Sequence, residues 1–89
     1  MMKGTTKTGF AFEVDENAFN DMEVVDVLSN EEMAAPYKMS FLVTRMLGEK
    51  QKKAMYSHLR DASGRVPVDA VEREMADIIE AFGDQGKNS

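Results

Sequence analysis

The apolar positions of this chain change period after about its first fifteen residues. Phe10, Phe12 and Val14 alternate with Ala11 and Glu13, which is the two-residue period of a half-buried strand. Upstream, Thr5-Thr6-Lys7 suits a partner strand and Thr8-Gly9 a turn, with Gly9 supplying an unusual backbone angle. Two strands alone are marginal in water, so the Phe10/Phe12/Val14 face is expected to pack on helices. From Asn20 onward the spacing becomes helical. Asn20-Asp21-Met22-Glu23 reads as a helix-start box, with Asn20 as the capping side chain and Glu23 three residues on. The helix it opens places Met22, Val25 and Leu28 on one face and weakens near Ser29-Asn30.

Pro36 fits the first turn of a second helix, which runs from Tyr37 to Leu47. Apolar residues nearly encircle it, so it is expected to be either the most buried element or the partner-binding one. Gly48 marks its end. A third helix, about Glu49 to Arg60, carries a narrow stripe of Ala54, Met55 and Leu59. Residues 61–65 read as a loop, and Val66, preceding Pro67, is expected to be extended. Pro67 opens the last helix, where Val68, Val71, Met75, Ile78 and Phe82 step by three or four. Gly83 is expected to cap it, leaving residues 84–89 as a flexible tail. The reading is therefore a mainly α fold: one domain over residues 1–83, with a short N-terminal β-hairpin packed on a bundle of three to four helices. Its predicted core joins Phe10, Phe12, Leu28, Phe41, Leu42, Leu47, Leu59, Val71, Ile78 and Phe82.

Composition narrows the functional classes. The 89 residues hold no cysteine, which excludes disulfides and thiolate metal sites. Acids outnumber bases 16 to 11, for a net charge of −5, which argues against nucleic acid as the main ligand. Lys50, Lys52 and Lys53 are the one basic cluster and read as a solvated helix face. No apolar run approaches the roughly 20 residues of a membrane span, and the basic N-terminus lacks the apolar stretch of a signal peptide. A cytoplasmic location is expected. Of the eight methionines, Met22, Met33, Met39, Met46, Met55 and Met75 sit among other apolar residues, where core packing is their expected role for the most part. Methionine also lines adaptable protein-binding surfaces.

Candidate chemistry is sparse. His58 is the only histidine, and its nearest downstream acid, Asp61, is expected to make a polar contact with it at a helix end. Asp15, Glu16, Asp21 and Glu23 lack the glycine and terminal glutamate of a calcium loop and read as acids that complement a helix start. The glycines are scattered and form no phosphate-cradling loop. Ser40, Ser57 and Ser63 have no nucleophile-elbow context. The expectation is a protein with no catalytic residues, no cofactor and no metal site. It would bind another protein, with Tyr37, Met39, Phe41, Leu42 and Met46 as the candidate contact residues.

Several stretches together carry a family resemblance. They are Thr8-Gly9-Phe10-Ala11-Phe12-Glu13-Val14-Asp15 leading into Asn20-Asp21-Met22-Glu23, Leu47-Gly48-Glu49-Lys50-Gln51, His58-Leu59-Arg60-Asp61 and Gly64-Arg65-Val66-Pro67-Val68. Over about residues 5–82 the chain resembles the small tail assembly chaperones of long-tailed phages and prophages of Gram-positive bacteria. The Gly-Arg-Val-Pro-Val stretch before the final helix is the most specific part. Met39, Met46 and Met55 depart from the leucine-like residues expected there. The resemblance implies binding to the tape-measure protein, or to another tail protein, during tail assembly. Self-association stays open, and neither nucleic acid nor membrane is expected as a partner. It also implies a second, longer product made by ribosomal frameshifting near the end of the gene. Gly86-Lys87-Asn88 can be encoded as GGA-AAA-AAC, which contains a slippery run. The alternative is an adaptor or minor structural subunit of another phage or bacterial complex.

Overall fold

The computed structural model describes residues 1–87, with side chains described up to residue 81. Strand β1 (Met2–Thr5) pairs antiparallel with β2 (Ala11–Val14), placing Met2 opposite Val14 and Gly4 opposite Phe12. Helix α1 spans Met22–Leu28, α2 Ala35–Leu59 and α3 Val68–Lys87. The mainly α fold with an N-terminal hairpin thus stands.

The hairpin is displaced from its expected position. Thr5-Thr6-Lys7 does not form the first strand, which lies earlier and ends at Thr5. Residues 6–10 make the connection. Hydrogen bonds close it: Thr6 N–H to Phe10 O at 2.9 Å, Gly9 N–H to Thr6 O at 3.0 Å, and Phe10 N–H to the Thr6 hydroxyl at 3.0 Å. Gly9 sits at φ 96°, a region that costs glycine little. Phe10, Phe12 and Val14 all face the interior, as their alternation predicts. Gly4 is fixed by packing, because a Cβ built there would lie 2.7 Å from Cζ of the buried Phe12 ring. Gly4→Ala is therefore expected to cost about 1–3 kcal/mol, the usual penalty of overfilling a packed site. A thermal melt checks this, and an unchanged midpoint would mean that the ring can move aside.

Helix α1 is rotated relative to its expected orientation. Its N-cap is Asp21, not Asn20, and the Asp21 carboxylate accepts from Glu23 N–H at 2.9 Å. Arg45 on α2 pairs with both Asp21 and Glu23 and packs its guanidinium 5.0 Å from the Phe41 ring centre. Asp21 and Glu23 thus lie beside α2. Val24 then fills the interior, while Met22, Val25 and Leu28 face outward. Leu28 thereby leaves the predicted core.

The two expected helices are both present within α2 and meet at a kink at Gly48, whose φ of 79° and ψ of 166° are not helical. Glycine takes this geometry without the Cβ penalty. Side chains bridge the break: Gln51 Nε2 donates to Leu47 O at 2.8 Å and Lys52 Nζ to the Thr44 hydroxyl at 2.9 Å. Gln51 also reaches strand β2. Its Oε1 accepts from Glu13 N–H at 2.7 Å and its Nε2 donates to Glu13 O at 2.8 Å. Lys52 is thus held against α2, whereas Lys50 and Lys53 are exposed, so the three lysines form no single patch.

The buried core holds Phe10, Phe12, Leu42, Leu47, Val71 and Ile78 from the predicted set, with Phe41 and Leu59 packed at its edge. It adds Met2, Val14, Val24, Val43, Met46, Met55 and Met75. Ala54, placed on the stripe with Met55, is exposed instead. Helix α3 passes through Gly83 to Lys87, so Gly83 does not cap it. The Phe82 side chain and residues 88–89 lie outside the described residues.

The loop between α2 and α3 is built around Asp61. One carboxylate oxygen accepts from Ser63 N–H at 2.9 Å, the Ser63 hydroxyl at 2.6 Å and Arg65 N–H at 3.2 Å. These bonds, the Ser63 hydroxyl foremost, hold the Asp61 carboxyl below its ordinary value. A depressed folded-state value stabilises the loop above the ordinary aspartate range, and that contribution is lost as the pH falls through the lowered value. An NMR titration is expected to show the Asp61 midpoint below that of an unstructured aspartate, with Ser63→Ala moving it back up. Equal midpoints in both proteins would refute the assignment.

Candidate functional site

The five residues expected at a partner contact divide between surface and core. Tyr37 is 70% exposed on the first turn of α2, while Met39 and Phe41 are half-buried. Leu42 and Met46 are buried with Val43 and Leu47. They belong to the core because α2 is covered on that side by the hairpin, α1 and α3. Met39 lines a hollow of about 140 Å³ together with Pro36, Ser40, Tyr56, Val66, Val68 and Val71. That volume is near the size of one large side chain.

A second apolar surface is on α1. Met22, Val25 and Leu28 are 68%, 44% and 42% exposed, and their three-residue spacing puts them on one side of the helix. Sequence reasoning placed these three together and pointed them the wrong way. The structure pairs Arg45 of α2 with Asp21 and Glu23 across more than twenty residues, a contact that no local period reveals.

His58 does not meet Asp61, whose carboxylate is occupied by its own loop. It meets the hairpin instead. The Phe10 and His58 ring centres lie 5.8 Å apart, and His58 Nε2 is 2.9 Å from the Thr8 hydroxyl. Thr8 donates to Glu74 Oε1 at 2.7 Å, and its oxygen lies 3.2 Å from the Thr6 hydroxyl. One consistent direction satisfies the chain: Thr6 donates to Thr8, His58 donates through Nε2–H to Thr8, and Thr8 donates to the Glu74 carboxylate. In that arrangement the imidazole is a donor to the threonine, not a base positioned to remove its proton. The arrangement can anchor the hairpin turn between α2 and α3. Lys7 adds to the anchor through its N–H, 3.0 Å from Asp77 Oδ2, and its ammonium, 3.5 Å from Asp77 Oδ1.

Glu74 is the one buried charged residue among those described, at 1% exposure, and its Oε2 has no hydrogen-bond partner there. Nothing in the sequence distinguished it from the other acids of α3. Among the described residues, no group of three or more His, Cys, Asp or Glu is placed to hold a metal ion. No described helix is long and apolar enough to cross a membrane. Comparisons with protein-family models, curated proteins and solved structures find no match.

Proposed function

We propose that this protein is a non-enzymatic tail assembly chaperone, which binds the tape-measure protein in the bacterial cytoplasm while the tail is built. The observation that carries the binding role is the outward apolar row of Met22, Val25 and Leu28 on a domain that already has a complete core. Contiguous apolar side chains left in water on so small a domain favour a surface that another chain covers. The tail-assembly assignment draws on the resemblance of residues 5–82 to that family. A tape measure is an extended helical chain, and such a chain exposes apolar stripes until tail-tube subunits enclose it.

Co-expression tests the reading. The protein is produced with and without a neighbouring gene's long, coiled-coil-rich product. The expected result is a higher soluble yield of that long protein when the chaperone is present. Equal yield and solubility in both cases would overturn the proposal.

A further inference from the structure

Charge is unevenly distributed around the exposed face of α1. Residues 13–32 contain Glu13, Asp15, Glu16, Asp21, Glu23, Asp26, Glu31 and Glu32 and no lysine or arginine. Two cations from α2 reach this region, and both are engaged. Arg45 is held by Asp21 and Glu23, and Lys38 Nζ donates to Leu28 O at 3.1 Å. Asp26, Glu31 and Glu32 are exposed and have no ion pair among the described residues. Asp26 lies one turn after Met22, so a free carboxylate borders the apolar row directly.

We infer that this face of α1 docks an amphipathic helix carrying lysine or arginine beside its apolar stripe. The inference rests on the proposed binding of a helical partner and specifies that partner's chemistry. Seven helical residues span about 10 Å, so α1 meets roughly two turns of the partner. Met22, the most exposed of the three, is unbranched and adapts to whatever stripe it meets. The negative border attracts cations on the partner and repels a helix flanked by acids. The exposed face of α2 around Lys50 and Lys53 offers the opposite charge but only Ala54 and Ser57 beside it. That face of α2 therefore does not supply the apolar stripe that the row would meet.

The test uses the full chain and two synthetic helical peptides that share one leucine stripe, one flanked by lysine and the other by glutamate. Amide NMR shifts are followed during titration. The lysine peptide is expected to bind at least about ten-fold more tightly than the glutamate peptide, to perturb residues 21–32 foremost, and to weaken several-fold as salt is raised. The variant Met22→Ser with Val25→Ser should stay folded with a modest drop in melting temperature, since Met22 is largely and Val25 partly exposed, and lose about ten-fold or more in affinity. Equal binding of the two peptides, or no binding of either, overturns the inference. So do shifts centred on the Tyr56/Val68 hollow, or a folded double variant that binds as the parent does. The peptides judge the docking face and co-expression judges the function. If the double variant still keeps the long partner soluble, the chaperone reading survives and the α1 face falls.

Discussion

Ile78→Ala is expected to destabilise the domain by about 2–5 kcal/mol, the cost of removing buried methylenes and leaving a cavity. In a domain of this size each kcal/mol lowers the melting midpoint by about 4–8 °C. The reason is position. Ile78 is fully buried, with Val71 and Met75 on the same face of α3, in the cluster that also holds Val14, Val43 and Met55. Its neighbour Ile79 is 37% exposed and supplies the control. Ile79→Ala should cost well under half as much, because part of its surface is already in water. Near-equal melting midpoints for the two variants would show that α3 does not dock by this face.

The second large effect concerns Thr8. Thr8→Val keeps the branched shape and removes the one hydroxyl that donates to the buried Glu74 carboxylate. A buried charged acceptor stripped of its donor is expected to cost about 1.5–3 kcal/mol. Replacing Glu74 by leucine in the Thr8→Val background should recover most of that loss, because the unpaired charge is then gone. The decisive quantity is the coupling in the double-mutant cycle, expected at about 0.5–3 kcal/mol. If Thr8→Val costs the same with and without Glu74, the pair is not coupled and the hairpin is held by its apolar face alone.

What could be read in the sequence was whatever depended on a local period. The alternation of Phe10, Phe12 and Val14 pointed to one buried strand face, and the three-and-four spacing of Val71, Met75 and Ile78 pointed to the buried face of α3. Gly48 was legible as a break because only its backbone could take the required angle. Features that depended on distant partners were not legible. The outward turn of α1 goes with the burial of Val24 and the pairing of Asp21 and Glu23 with Arg45, more than twenty residues away. The buried Glu74 finds its hydrogen-bond donor in Thr8, 66 residues away. Met2 counted for little in the sequence, yet it is buried opposite Val14. Of the five candidate contact residues, Leu42 and Met46 illustrate the ambiguity of an all-round apolar helix. Periodicity could not say which side is covered, and the tertiary packing covers theirs.

The Gln51–Glu13 pairing has a consequence for how the chain behaves when crowded. A two-stranded ribbon leaves a row of backbone donors and acceptors along the side of β2 away from β1, and such a row invites a strand from another molecule. At Glu13 both groups are already taken by one amide side chain that copies the donor–acceptor pattern of a peptide unit. An incoming strand would have to displace Gln51 before it could seat at the middle of β2. The chain's own amide side chain thereby blocks strand pairing at this point of the ribbon.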